Sequence, residues 1–412
     1  MGVRVPQGAL LTIRKYYDDS STRRFDARVV EAGNSDAGPT AVLDQTYFYP
    51  ASGGQPHDTG TLGAARVTNV TVREEDGAVV HQLDAALPQG PVAGSLDWGR
   101  RFDHMQQHTG QHILSQAFVR RARAPTIGFH LGQETVSIDV ETSKLDDATV
   151  SGAEAMANEI VEQNLAVRAW FPDDQELTRL ALRKTPDVRG KLRVVGIGDF
   201  DYSACGGTHV AATGEIGLIA VHKTERLTRG MRVEFLCGGR ARADYARKHA
   251  LIRELSTSLT CAPGELAASV SRLAAALVEA RREVSAHREK GLDVEAGQRL
   301  DTAQRLGELR VITAAWEDRA MDEVKGLALR MTTLPGVITL LGVAGARTQL
   351  LFARSEGAPV ELKAVFDRTL ATLGGGKGGG SRILQGAAGP SSRERLEAVL
   401  AAAAAEIRVP AR

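Results

Sequence analysis

With 412 residues, 43% of them hydrophobic, and a formal net charge of +1, the chain has room for roughly two to four domains with buried cores, and its charge neither demands nor excludes a nucleic-acid partner. Its three cysteines, Cys205, Cys237 and Cys261, are too few and too odd in number for a disulfide framework, which points to a reducing cytoplasm. No apolar run reaches the length of a membrane span and the N-terminus lacks a signal-peptide core, so no membrane association is expected.

Residues 1–92 read as β structure. Short apolar runs at Phe25–Val30, Thr40–Leu43, Arg66–Val72 and Ala78–Leu83 alternate with Gly, Asp and Pro turns, the pattern of a small barrel. Within them lies a glycine-rich loop, Ser52-Gly53-Gly54-Gln55, followed by Asp58-Thr-Gly60. Its two glycines allow close backbone approach to a ligand; the plainer reading is a hairpin turn.

Residues 93–239 mix helices and strands, which predicts a two-layer α+β domain. Phe102–Arg120 reads as an amphipathic helix with Gly110 as its only breaker. Then come a strand (Thr135–Val140), a helix (Ala148–Asn164), a strand (Ala166–Phe171), a short helix (Asp174–Leu182) and Leu192–Ile197. A turn at Cys205 and two strands, Gly217–Thr224 and Met231–Leu236, complete the stretch.

This domain holds the chemistry-bearing motifs. His108-Thr-Gly-Gln-His112 puts two imidazoles four apart on one helical face. His104 lies one turn earlier, so spacing alone leaves 104/108 and 108/112 as alternative pairs. Thr109 stands where a metalloprotease would carry its glutamate. Cys205-Gly-Gly-Thr-His209 is a tight turn that can aim a thiolate and an imidazole at one point. Nitrogen and sulfur donors in this mixture suit one tetrahedral Zn2+ per chain. Asp199 and Asp201, just upstream, could fix the tautomer of a ligating histidine.

Residues 240–304 are nearly all helix-forming, broken at Cys261-Ala-Pro-Gly264, which predicts a helical hairpin or coiled coil. Val270, Leu273, Ala276, Leu277, Ala280 and Val284 form a stripe suited to packing or to homodimerisation. Residues 305–412 return to α/β character, with strands at Arg310–Ala314, Gly336–Val343 and Leu350–Ala353 and helices at Asp322–Thr332 and Leu362–Leu370. A loop follows, Gly374-Gly375-Gly376-Lys377-Gly378-Gly379-Gly380. It is no P-loop, because Ala371 and Gly378 break the motif, but its amides and Lys377 could still face phosphate.

Taken in order, the glycine-rich loop, the histidine helix, the Cys-Gly-Gly-Thr-His turn and the Gly-Lys-Gly loop resemble the long alanyl-tRNA editing proteins, free-standing relatives of the editing half of alanyl-tRNA synthetase. Arg101–Ser115, Asp201–Val210 and Thr213–Gly217 are similar to that family's signature segments, and the C-terminal loop to the nucleic-acid-binding domain called DHHA1. The implied architecture is an N-terminal β-barrel (1–92), a zinc-containing editing domain like the second additional domain of threonyl- and alanyl-tRNA synthetases (93–239), a helical hairpin (240–304) and a DHHA1-like tRNA-binding domain (305–412).

The resemblance implies His108, His112, Cys205 and His209 as the zinc ligands. It implies hydrolysis of the aminoacyl ester of tRNA(Ala) mischarged with serine or glycine, sparing Ala-tRNA(Ala). Thr109, Gln111, Thr126, His130 and Asp201 are then pocket candidates, and Arg101, Gly375, Gly376, Lys377, Gly378 and Gly379 tRNA contacts. A zinc with four protein ligands is expected to position substrate rather than to activate water. ATP binding follows from the resemblance only. The chain departs from the family at Gln111, where the synthetase version commonly has Thr, and at Gln385–Gly389, where a Gly-Gly pair is common. The rival reading is a non-catalytic tRNA-binding module with a structural zinc. A DHH phosphoesterase is disfavoured because no Asp-His-His triplet occurs.

Overall fold

The computed structural model describes residues 12–184 and 191–408 and divides into two compact units, Met1–Ser258 and Leu259–Arg412. The first unit opens with β1 (Ile13–Arg14), β2 (Arg24–Ser35), β3 (Gly38–Leu43), β4 (Gln45–Thr46), β5 (Gly60–Leu62), β6 (Ala65–Val72), β7 (Val79–Leu83) and β8 (Gly90–Leu96). β1 and β4 pair in parallel; the other six close a barrel in the order β2-β3-β7-β6-β5-β8. Alternate residues of β6 and β7, among them Ala65, Val67, Val79 and Leu83, point inward and fill it.

The barrel leads into α1 (Trp98–Ala122), capped by the Asp97 carboxylate, which accepts from Arg100 N–H at 3.2 Å. Next come β9 (Thr126–Leu131), β10 (Val136–Val140), α2 (Asp147–Glu162), β11 (Val167–Trp170), α3 (Asp174–Arg179), β12 (Val194–Ile197), β13 (Asp201–Ala204), β14 (Ile219–Arg226), β15 (Met231–Cys237) and α4 (Gly238–Ser258). The strands form an antiparallel four-stranded sheet, β14-β15-β10-β9, and a smaller one, β11-β12-β13.

α1 departs from the amphipathic helix expected of it. It is buried continuously from His104 to Ser115, packed against α2, β9, β10, β13 and β15. A helix with so many polar residues can be buried because its amides have fixed partners. Gln106 Nε2 donates to Glu215 O at 2.8 Å. Gln107 pairs with the backbone of Cys237 in both directions, at 2.9 and 2.8 Å. Gly110 lets Cys237 approach, since a Cβ there would lie 2.3 Å from the Cys237 sulfur.

The second unit comprises α5 (Leu266–Asp301), β16 (Gln304–Leu306), β17 (Leu309–Trp316), α6 (Met321–Met331), β18 (Val337–Val343), β19 (Gln349–Arg354), α7 (Leu362–Thr372), β20 (Gly376–Gly380), β21 (Ile383–Ala388) and α8 (Arg393–Ala405). One six-stranded sheet runs β16-β17-β18-β19-β21-β20, parallel only at β17/β18. Ile338 and Leu340 of β18 face the α7 and α8 side with Phe366 and Leu396; Val337 and Leu341 face α6 and the end of α5. The division between units falls between α4 and α5, so residues 240–304 do not form one compact piece. On α5, Val270, Leu273, Leu277 and Val284 are all more than half exposed.

The glycine-rich segment expected as a loop is instead an edge strand, β20, paired with β21. Its composition has a steric cause. A Cβ at Gly376 or Gly380 would lie 1.9 Å from the carbonyl oxygen of Ala387 or Ile383, and one at Gly378 would lie 2.7 Å from the Phe366 ring. Lys377 is exposed on this edge, while Gly375 precedes it with φ +82°.

Candidate metal centre

α1 presents His108 and His112 one turn apart, and the chain leaving β13 turns back through Cys205-Gly-Gly-Thr-His209 to face them. The four donor atoms lie within 4.8 Å of one another. Cys205 Sγ is 3.4 Å from His108 Nε2 and 3.3 Å from His209 Nε2. A tetrahedral ion with Zn–S and Zn–N bonds of ordinary length sets its donors roughly 3.3–3.6 Å apart; the two Cys205 separations have that spacing, and all four donors lie close enough to be gathered by one borderline-soft ion. His104 is not in the cluster; it is buried with Nδ1 lacking a partner, and burial holds its pKa down at about 4.

Each imidazole is anchored at Nδ1, leaving Nε2 for the centre, and each anchor is chemically different. His108 Nδ1 lies 2.8 Å from Gln55 Oε1, His209 Nδ1 3.1 Å from Thr109 Oγ1, and His112 Nδ1 3.3 Å from Asp201 Oδ2. Such partners orient ligating histidines and set their tautomer. Phe129 stacks on the His108 ring with centroids 5.1 Å apart. A Cβ on Gly207 would fall 2.2 Å from His108 Cε1 and 2.9 Å from Gln55 Oε1, so glycine is required there for the turn to close.

Electrostatics follow from burial and from this cluster. Burial alone would raise the Cys205 thiol, but the surrounding His108, His209 and His112 outweigh it and hold the pKa well below the ordinary value. Burial drives His209 down to about 3. Burial opposes charge on His112 too, yet the Cys205 sulfur and Asp201 raise it. Two arginines, Arg193 buried and Arg183 partly so, brace the site. Arg193 donates to Cys205 O and Gly207 O, both at 2.9 Å, and Arg183 to His112 O at 2.9 Å, with its Nε 3.4 Å from Asp201 Oδ1.

The other candidate residues divide. Gln111 and Thr126 are joined through Ser115, Gln111 Nε2 donating to Ser115 Oγ at 2.8 Å and the Thr126 hydroxyl donating to it at 2.7 Å. His130 stands apart from them, its side chain 61% exposed and 3.5 Å from Asp139. Ser52, Gly53 and Gly54 form a tight turn whose Gly54 O accepts from Leu131 N–H at 3.2 Å, and Gln55 is its buried end.

Arg101 corrects the reading of it as a tRNA contact. It is 0% exposed, its Nε 3.1 and 3.0 Å from the two Asp58 oxygens and its Nη1 donating to Ser20 O at 2.9 Å. That guanidinium fastens α1 to the barrel and cannot reach a phosphate. Sequence reasoning missed Arg183 and Arg193, which no motif singles out, and gave Ser115 no role although it ends a signature segment; the Asp58-Thr-Gly60 segment was visible but its partner was not.

Residues 192–233, which include Cys205 and His209, match the family described as threonyl and alanyl tRNA synthetase second additional domain. The chain is 31% identical over 392 residues to alanyl-tRNA editing protein AlaX-L of Pyrococcus horikoshii, covering 90% of this chain and 94% of that protein. It is 32% identical over 393 residues to the alanine–tRNA ligase of Pyrococcus abyssi, but spans only 41% of that protein's length. The solved C-Ala domain from Aquifex aeolicus alanyl-tRNA synthetase covers 24% of this chain at 18% identity with a TM-score of 0.21, too low to carry weight.

Proposed function

The chain belongs to the alanyl-tRNA editing protein family, and on that premise we propose that it is a trans-editing hydrolase that deacylates tRNA(Ala) mischarged with serine. The observation that carries the reading is the cluster of His108, His112, Cys205 and His209 with an anchor on every imidazole.

The metal proposed is Zn2+, one per chain. When bound, it supplies Lewis acidity and an anchor for the substrate's amine or hydroxyl. Everything else falls to the chain's own groups. Gln55, Thr109 and Asp201 hold the imidazoles in their ligating tautomer. Gln111 and Thr126, tied through Ser115, offer fixed polar atoms to a substrate hydroxyl. The reaction adds water to the ester carbonyl, breaks the bond from that carbon to the terminal ribose oxygen and passes one proton of the water to the departing oxygen, giving free serine and tRNA.

Selectivity follows from unequal consequences. A pocket sized for alanine discriminates against an added hydroxyl by only ~10², whereas a site built around that hydroxyl leaves buried polar groups unpaired when alanine enters. Lys377 and the β20 backbone are proposed as a tRNA-facing edge, supported by the exposure of the whole strand. The exposed apolar stripe on α5 supports a homodimer through residues 240–304. Among the described residues no helix is long and apolar enough to cross a membrane, and the cytoplasm is the proposed compartment.

The deciding experiment is deacylation of seryl-, glycyl- and alanyl-tRNA(Ala) by the wild type and by His108→Ala. Serine loss with alanine spared, abolished in the variant together with bound zinc, is the expected result. The four-donor set also favours one rival, a structural zinc in a tRNA-binding module, since a closed site is the structural type. Zinc-replete protein with no deacylase activity would replace the hydrolase reading with that one.

A further inference from the structure

We propose that Gln55 is a positioning residue for His108, and that through it the Ser52–Gln55 turn of the barrel and the metal centre form one cooperative element; this rests on the metal reading of the four-residue cluster.

Which end of the Gln55 amide faces the imidazole is decided by a backbone group. Gln55 Oε1 lies 3.2 Å from Thr208 N, a donor with no acceptor form, while Nε2 donates to Thr208 Oγ1 at 2.8 Å. Turning the amide over would set its NH2 against the backbone N–H. Oε1 is therefore the acceptor, and His108 Nδ1, 2.8 Å away, must carry the proton. A neutral ring protonated at Nδ1 has its lone pair on Nε2, the atom 3.4 Å from Cys205 Sγ. Gln55 is 1% exposed, so water does not compete for that bond. The ligating tautomer of His108 is thus selected before any ion arrives.

Gln55 is also the closing residue of the turn. Its N–H donates to Ser52 O at 2.9 Å, its carbonyl accepts from Ser52 N–H at 3.0 Å, and Gly54 O holds β9 through Leu131. One short segment is therefore tied at once to His108, to Thr208 of the cysteine turn and to β9. An ion that favours Nδ1-protonated His108 favours the seated turn, and by reciprocity the seated turn raises the ion's affinity.

The test is Zn2+ affinity of the full chain by chelator competition, for wild type, Gln55→Met and Gln55→Glu, with amide hydrogen exchange at residues 53–55 read with and without Zn2+. Met has similar length but no acceptor, and should weaken Zn2+ binding by about 10–100-fold. Glu keeps the acceptor and should lose less, a ranking that a packing role would reverse. Zn2+ should slow exchange in the turn of the wild type and not in Gln55→Met. Equal Zn2+ affinity in wild type and Gln55→Met would overturn the inference alone. Wild type that binds no Zn2+ would remove the metal reading and this inference with it. If circular dichroism finds Gln55→Met unfolded, Gln55→Asn decides: its shorter side chain withdraws the acceptor from His108 Nδ1 and should weaken Zn2+ binding, and unchanged affinity overturns the proposal.

Discussion

Arg101 and Asp58 form a wholly buried ion pair between the first turn of α1 and the segment that follows the glycine-rich turn. Neither side chain exceeds 1% exposure; Arg101 is compensated by Asp58 and by the backbone carbonyls of Ser20 and Tyr47, and Asp58 by Arg101 and by the Tyr49 N–H at 2.7 Å. Removing one partner of such a pair strands the other, at about 3–5 kcal/mol. Arg101→Met should therefore lower the unfolding free energy of the first unit by that order, read from denaturant titration, and the Arg101→Met, Asp58→Leu double variant should recover part of it. An Arg101→Met protein of unchanged stability but weakened tRNA binding would restore the surface role rejected above.

Gly110 and Cys237 make a second test of packing. A methyl at 110 would meet the Cys237 sulfur at 2.3 Å inside a core with no room to yield. Gly110→Ala should destabilise by about 1–3 kcal/mol as overpacking. Cys237→Ala should relieve most of that, so the double variant should be more stable than additivity predicts. Strictly additive unfolding energies would mean that the clash is not the cause.

Acid should weaken the barrel through His81. It is fully buried, between Thr46 Oγ1 at 2.9 Å and Ala41 O at 3.1 Å, and burial pushes its pKa from 6.5 to about 4. Above pH 6.5 the ring is neutral folded or unfolded and has no linkage effect. As pH falls from 6.5 towards 4 only the unfolded chain takes the proton, so stability falls, by about 3 kcal/mol in all. Urea midpoints at pH 7.5 and 4.5 should differ less in His81→Gln than in wild type. Identical acid slopes would exclude His81 as the source.

Charge reversal at the exposed edge addresses the tRNA proposal. Lys377→Glu should weaken tRNA binding and reduce its logarithmic salt slope by about one, as loss of one phosphate contact does, with Zn2+ content unchanged. Fluorescence anisotropy across a salt series reads both quantities. Unaltered affinity would remove Lys377 from the interface.

The α5 stripe carries the dimer proposal. Leu273 and Leu277, 54% and 53% exposed, are one turn apart. Leu273→Glu with Leu277→Glu should shift the light-scattering mass from dimer to monomer without loss of helical signal. A wild-type chain already monomeric at high concentration would end that proposal.

Much of this was legible in the sequence wherever a local pattern coincided with its cause. β2, β3, β6 and β7 each hold a short apolar run and α6 a clear apolar face; β3, β6, β7 and α6 were read within two residues of their bounds, while the Phe25–Val30 run stopped five residues before the end of β2. β5 and β8 were not, because three residues and a strand containing Pro91 and Gly94 leave no period to detect. α1 was found but its setting misjudged, since the partners that make Gln106 and Gln107 tolerable in a core lie over a hundred residues away. β20 was hidden for the opposite reason: glycine usually signals a loop, and only the closeness of β21 explains it here. The spacing of His108, His112, Cys205 and His209 was visible, but the partners of their rings were not, because Gln55 and Asp201 reach the centre through tertiary contacts alone.

The three different anchors of the imidazoles bear on how the protein can be cut and recombined. Gln55 comes from the barrel, Thr109 from the helix and Asp201 from the small sheet, so the inventory of the centre crosses the boundary that sequence suggests near residue 92. A chimaera spliced there would inherit all four donors from one parent and a foreign hand on one of them. Exchange of barrels between homologues should therefore succeed only when residues 52–58 travel with α1, which makes that short turn, and not the linker before Trp98, the indivisible unit of inheritance.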